Sequence, residues 1–378
     1  MKRFLSLIIV FVLAQSSFAQ LNVWRVQNPA AEGVSLHAVQ MISLTTVFAC
    51  GNYGAVLKTT DGGTTWNIDY GRIWGTTGNG PYRGNYYALS FLDSNYGMVC
   101  GDSGRIIKTT DGGATWNRLV TNTQTLLNSI VVIDTNLSIV VGKGGVILRT
   151  LNGGISWEPV PFESVVDFFS IRKLRPNFLT VAGANGALFE STDKGFSWQK
   201  IALQTDSMLF GNNIKGQVFT NDFSGTVIGD NGFILHTANG GNLWTSQALT
   251  DTVYLSRTLN YIDGKDPKIL AMVGSFGTLL HTTDGGITWL KVNLGITDSL
   301  RGISFYDKFN AMAVGKDGII LRTSDGGATW KFLPSRRRGP GEVGRRRGNY
   351  PRARPRADHR REAGHCRRHR LQIGRAHV

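Results

Sequence analysis

The stretch TTDGGTTW at residues 59–66 returns as TTDGGATW at 109–116 and as TTDGGITW at 282–289. TLNGGISW (150–157), STDKGFSW (191–198), TANGGNLW (237–244) and TSDGGATW (323–330) are looser copies, which makes seven in all. The Asp or Asn of each copy lies 41 to 50 residues from the next. A period in the forties, built from strand and turn signals alone, is that of a four-stranded propeller blade. The fold expected is all-β: a seven-bladed β-propeller of antiparallel four-stranded blades.

Each unit reads as four strands. In the seventh they are LRGISFYD (300–307), AMAVGK (311–316), GIILRTS (318–324) and TWKFLP (329–334), with Gly318 in the second turn and the repeated box as the third. β-Branched and aromatic residues fill the strands while Gly, Asp and Asn punctuate them. Apolar runs such as Ile319-Ile320-Leu321 suit strands covered on both faces by neighbouring blades.

Within the box, the second glycine (Gly63, Gly113, Gly154, Gly195, Gly241, Gly286, Gly327) occurs in all seven copies, whereas Lys194 once replaces the first. One position is therefore expected to need a positive φ, which glycine adopts without strain. Asp61, Asp111, Asn152, Asp193, Asn239, Asp284 and Asp325 can accept hydrogen bonds from N–H groups of their own turns. Trp66, Trp116, Trp157, Trp198, Trp244, Trp289 and Trp330 open the outer strands and can pack over that turn or a neighbouring blade. A calcium site would need six to eight converging oxygens, and each box offers one carboxylate. Seven copies on seven blades cannot share one active site. The aspartate reads as a turn holder, and neither metal nor cofactor is expected.

The flanks differ from this body. Met1-Lys-Arg3, an apolar run and Ser17-Phe18-Ala19 read as a signal peptide over 1–19, cut before Gln20. No cysteine follows that cut, which argues against a lipid anchor, and no later apolar run reaches the ~20 residues of a membrane span. The expectation is an exported chain, periplasmic, cell-surface or extracellular. Residues 20–333 form the propeller. Residues 334–378 hold 15 Arg and no Lys against three acids, while the preceding 333 residues hold 26 basic and 23 acidic groups. The net charge of +15 thus belongs mainly to the tail, and the propeller is not expected to bind nucleic acid. The abrupt switch from mixed Lys and Arg to Arg alone reads as a change of frame, with a basic arm as the alternative. Cys50 and Cys100 take the same place in successive repeats and read as small buried apolar residues, not as a disulfide framework.

The boxes resemble the Asp-box pattern of sialidases and sortilin-type receptors. The longer unit, LRGISFYDKFNAMAVGKDGIILRTSDGGATW (300–330), is more similar to the photosystem II stability and assembly factor family. That resemblance covers roughly residues 24–333 and implies a non-catalytic assembly propeller with a protein partner. Two features depart from it. One is the tail. The other is Trp24-Arg-Val-Gln-Asn-Pro29, an outer-strand sequence with no blade before it. It could close blade seven beside or instead of Trp330–Pro334; otherwise three strands of an eighth blade are missing.

In such propellers the first strands line the channel. Counting six residues back from the Asp near the end of each first strand, or from its equivalent, reaches His37, Tyr87, Asn128, Lys215, Arg257 and Arg301; the fourth repeat does not align. Lys215, Arg257 and Arg301 would favour an anionic partner. The long 71–87 connection adds Trp74, Tyr82, Arg83 and Tyr87, residue types that suit a recognition loop. The expected partner is a protein or peptide, with an anionic one favoured by this charge, bound by a monomer. A second basic series, Lys58, Lys108, Arg149, His236, His281 and Arg322, broken by Glu190, reads as solvated edge.

Asp-box propellers also include glycoside hydrolases, and a secreted adhesive component is a further alternative. A sialidase would carry an Arg-Ile-Pro segment, and Arg72-Ile73-Trp74 lacks the proline. Other glycosidases need two carboxylates facing across a cleft, and no unusual acidic pair stands out. Asp93, Asp134, Asp263 and Asp307 recur at the ends of first strands and read as turn residues. The enzyme reading is therefore negative.

Overall fold

The computed structural model describes residues 34–69, 84–175, 177–203, 211–247, 249 and 256–333. Seven four-stranded antiparallel sheets follow one another along the chain, each made of four consecutive strands. The inner strands are Leu36–Met41, Tyr86–Phe91, Leu127–Val132, Phe168–Arg175, Ile214–Phe219, Leu259–Asp263 and Leu300–Phe305. The second strands carry the core. All five residues are buried in six of them, and in blade four only Phe178 is partly open. Such two-sided burial explains their continuous Val, Ile, Ala and Met content.

The ring closes with seven blades. The outer strand of blade seven is Lys331–Phe332, paired with Ile320–Thr323. The outer-strand place of blade seven is thus filled from the C-terminal side; Trp24–Pro29 lies outside the described residues. Blade one packs directly on blade seven: Leu36, Val39, Val47 and Leu57 share a cluster with Met312, Val314 and Ile320. Among the described residues, that packing leaves no gap for an eighth blade.

Seven apolar clusters fill the joints between adjacent blades, and one box tryptophan enters each. Trp116 joins Phe48, Phe91 and Val99, for example, and Trp244 joins Ala182, Leu188 and Val227. Cys50 and Cys100 lie fully buried in the second strands of blades one and two, and burial pushes both thiols up.

Both glycine positions of the box have positive φ, a correction to the expectation of one. The first lies between 64° and 82°, with Lys194 at 64°; the second lies between 81° and 97°. The left-handed region open to ordinary residues ends near +70°. This is why a lysine can take the first place and only glycine takes the second. In the turns between second and third strands, pairs such as Tyr53-Gly54 and Asp317-Gly318 also have positive φ, the signature of a type I′ hairpin.

Each inner strand is an edge strand, with N–H groups facing the channel that no further strand can satisfy. Side chains from the preceding blade take that role. The N–H of Met41 donates to Ser304 Oγ (3.1 Å), Phe91 to Gln40 Oε1 (2.8 Å), Val132 to Ser90 Oγ (2.9 Å), Ile171 to Ser129 Oγ (3.2 Å) and Phe305 to Asp263 Oδ2 (2.7 Å). The channel wall is polar because its backbone requires it.

Candidate functional site

The central channel forms a cavity of about 730 Å³, lined by the inner strands. At the second residue of these strands stand His37, Tyr87, Asn128, Phe169, Lys215, Asn260 and Arg301, all in the channel lining. Five of the six aligned sequence candidates are thereby brought together. Arg257 is not. Its guanidinium donates to Phe276 O (3.1 Å) and Thr278 Oγ1 (3.0 Å) of its own blade. The misplacement traces to Asp263, which is no turn residue. The turn of blade six is held by Asp266, whose carboxylate accepts the Lys268 N–H at 2.8 Å. Asp93, Asp134 and Asp307 accept equivalent N–H donations in their own turns. Counting back from Asp266 reaches Asn260. Trp74, Tyr82 and Arg83 lie outside the described residues.

The mouth has two characters. Lys215 and Arg301, on blades five and seven, flank Asn260, while Tyr87 and Phe169, on blades two and four, flank Asn128. The Lys215 ammonium sits 3.7 Å from the Phe169 ring centre, within cation–π range. Arg301 Nη1 lies 3.2 Å from His37 Nε2, and the His37 ring is 4.9 Å from that of Tyr87. Burial holds the His37 imidazole down to about 4, and the Arg301 charge pushes the same way against the Asn52 hydrogen bond. His37 Nε2–H donates to Asn52 Oδ1 at 2.6 Å, so the neutral ring accepts from Arg301 Nη1 through Nδ1, at 3.3 Å. Among the described residues, no carboxylate comes within ion-pair distance of Lys215 or Arg301. The two asparagines tie the rim instead: Asn128 Nδ2 donates to Phe168 O and Asn260 Nδ2 to Leu300 O, each at 2.7 Å.

Deeper in the channel, at the fifth strand position, Arg172 of blade four meets Asp263 of blade six at 3.6 Å, reaching across blade five. Sequence reading missed this pair. Its signal was opposite charge at one register position two repeats apart, hidden by the misaligned sixth repeat.

The box residues sit at the other end of the blades. Asp61 Oδ1 accepts from the Thr59 hydroxyl (2.8 Å) and the Thr65 N–H (2.8 Å), and Oδ2 accepts from the Thr65 hydroxyl (2.6 Å). The same frame recurs at Asp111, Asp193, Asp284 and Asp325. Asn152 and Asn239 accept the corresponding backbone N–H groups. Hydrogen bonds from the threonine four residues on hold the Asp61 and Asp111 carboxyls down to about 2. In Asp193, Asp284 and Asp325 partial burial pulls upward, and equivalent bonds outweigh it, again to about 2. Trp66, Trp116, Trp157 and Trp244 are buried, whereas Trp198, Trp289 and Trp330 are partly so. Among the described residues, no three His, Cys, Asp or Glu side chains converge as metal ligands would.

The second basic series is not solvated edge. Lys58 Nζ donates to Gly112 O (2.7 Å), Lys108 Nζ to Gly153 O (2.8 Å) and Arg322 Nη1 to Gly62 O (2.7 Å), each reaching the box of the next blade around the ring. Arg149 approaches Gly195 O at 3.4 Å and stacks on Phe196. These cations tie blades together. His236 and His281, held down by burial, and Glu190, pushed up by it, take the same place in blades four to six.

The family model for the photosynthesis system II assembly factor YCF48 matches residues 73–201 and 251–345, more than half of the chain. The chain belongs to the YCF48 family. Among solved structures, it is similar to YCF48 from Cyanidioschyzon merolae, with 19% identity and a TM-score of 0.65 over 79% of this chain and 98% of that one. It is also similar to YCF48 bound to D1 peptide, with 19% identity and a TM-score of 0.63 over 78% and 92% of the two chains. The xyloglucanase of glycoside hydrolase family 74 from Xanthomonas campestris shares the propeller at 13% identity and a TM-score of 0.65, over 82% of this chain and 55% of the enzyme. Likeness at such identities is likeness of fold. No curated protein matches the chain. Among the described residues of this YCF48-family propeller, no helix is long and apolar enough to cross a membrane.

Proposed function

We propose that this YCF48-family propeller is a non-catalytic scaffold that captures an extended, acidic segment of a partner protein at the channel mouth. The observation that carries this is the pair Lys215 and Arg301, two cations on one side of a concave rim with no carboxylate within ion-pair distance among the described residues. A concave, low-dielectric site focuses such a field. Tyr87 and Phe169 on the other side offer flat apolar area for a neighbouring side chain. The acids of the channel lining are already engaged. Asp230 accepts from Asn213 Nδ2 (2.7 Å) and Thr258 Oγ1 (3.2 Å), and Asp263 from the Phe305 N–H. That leaves neither as a ready general acid or base. The peptide in the YCF48 complex supports a peptide ligand here. Export to the periplasm or beyond, from the leader-like start, belongs to the same proposal.

Fluorescence anisotropy with a labelled decapeptide of Ala and Asp, and its Ala and Asn counterpart, tests this. The acidic peptide should bind with an affinity that falls as salt rises. Arg301→Glu and Lys215→Glu should abolish binding at an unchanged melting temperature, and Arg257→Glu should leave it intact. Equal binding of both peptides, or capture indifferent to Arg301→Glu, would reject the reading. Release of oligosaccharides from xyloglucan by the purified chain would replace the scaffold with a hydrolase.

A further inference from the structure

Arg172 is a poorly satisfied cation in the channel wall. A guanidinium carries five N–H donors, yet only one hydrogen bond of ordinary length forms, from Nη2 to Ile262 O at 2.9 Å. Its Nε–H is buried and has no partner. Asp263 does not supply the missing acceptors. One carboxylate oxygen stays 3.6 Å away, and the other is committed to the Phe305 N–H at 2.7 Å. The Tyr261 ring lies 4.5 Å from the guanidinium carbon and limits where that plane can turn.

Around Arg172 the wall opens into a small cavity of about 80 Å³, lined also by Lys173, Thr180, Asp263 and Lys265. Three cations face one carboxylate there. That space holds several waters and is enough for a two-carbon carboxylate. Lys173 Nζ donates only to Ile133 O at 3.3 Å, and Lys265 is exposed. The second and fifth strand positions are three residues apart, so this cavity lies about 10 Å along the channel from Lys215 and Arg301.

We propose that Arg172, with Lys173 and Lys265, forms a second anion subsite inside the channel that takes a single carboxylate group. The carboxylate would accept from the open Nη edge of the guanidinium, whose side chain keeps 27% of its surface exposed, and from the two ammonium groups. Asp263 serves the site as a positioning residue. It balances part of the charge and, by holding blade seven, keeps Arg172 in place from one side only. The site stands on the channel geometry alone and does not depend on peptide capture at the mouth.

The test is a titration of the full chain with sodium acetate against sodium chloride at fixed ionic strength, followed through arginine Nε–H signals by NMR. The Arg172 signal, assigned as the one missing from Arg172→Lys, should move saturably with acetate. In Lys265→Gln, which removes an exposed cation, acetate affinity measured calorimetrically should fall at least threefold; this second arm holds even if Arg172→Lys does not fold. A motionless Arg172 signal, or unchanged affinity in Lys265→Gln, overturns the subsite. Saturation by inorganic phosphate and not by acetate overturns the carboxylate assignment. The peptide experiment is read separately, so loss of either site is visible without the other.

Discussion

Arg301 of the last blade and His37 of the first face each other at 3.2 Å across the joint that closes the ring. The contact holds only while the imidazole is neutral, because a protonated ring would oppose the guanidinium at hydrogen-bond range. The His37 imidazole titrates near 4 in the fold and near 6.5 when unfolded. Between those values the unfolded chain binds the extra proton, so stability falls as pH drops from about 6.5 to about 4 and levels off below. The contribution is on the order of 3 kcal/mol. His236 and His281 shift in the same direction. Urea unfolding at pH 7, 5.5 and 4.5 should show this slope, reduced in His37→Gln. An identical slope in that variant would refute the assignment.

The box carboxylates act in a lower window. Their fold values near 2 lie below the ordinary carboxylate range, so the stability they lend is present above ~4 and is lost as pH falls toward 2. A second, steeper loss of stability below pH 4 is expected on acid titration. In Asp61→Asn it should weaken slightly, since Asn152 and Asn239 already show that an amide can hold the turn.

Glycine is demanded at one box position and merely suits the other. Gly154 has φ +91°, with a Leu119 methyl where a side chain would start. Gly154→Ala should cost about 2 kcal/mol or more from backbone strain and collision combined. Lys194→Gly should stay within about 1 kcal/mol, because φ +64° is already open to lysine. Thermal melts of both variants separate the cases; equal losses would contradict the φ argument.

Arg322 bridges the closing joint by donating to Gly62 O at 2.7 Å and Leu44 O at 3.2 Å. Arg322→Met keeps much of the apolar stem and removes both bonds. It should cost about 1–3 kcal/mol, as charged hydrogen bonds do, and should speed hydrogen exchange in blades one and seven first. Uniform acceleration around the ring would mean that this tie has no local role.

Trp116 meets Phe91 edge-on at 6.2 Å, and Phe91 stacks on Phe48 at 3.8 Å. Trp116→Ala leaves a cavity in that joint and should cost ~3–5 kcal/mol. Double mutation with Phe48→Ala should be less than additive, since the two residues share one cluster. Full additivity would place the tryptophan outside it.

The blades were legible because their signals are local. Glycine pairs, a hydroxyl two residues before the Asp and a closing Trp all act within eight residues, so the string alone carries them. What joins blades was harder to read. Lys58, Lys108 and Arg322 donate to main-chain carbonyls of the next blade, and a carbonyl leaves no mark in a sequence. The mouth was half legible. His37, Tyr87, Asn128, Lys215 and Arg301 follow from the repeat register, but a six-residue count anchored on Asp263 slipped by three and selected Arg257 in place of Asn260. Phe169 escaped because the fourth inner strand, Phe168–Arg175, runs two residues longer than most.

Among the described residues, every blade consists of consecutive strands, and the first meets the last through the same kinds of contact that join any other pair. Blade order along the polypeptide is therefore nearly invisible to the finished ring. A circular permutant opened between blades two and three, with the old ends linked, should assemble the same channel. By the same logic, the natural unit of duplication, loss or exchange in such a protein is one whole blade, and the mouth changes its chemistry one residue per blade at a time.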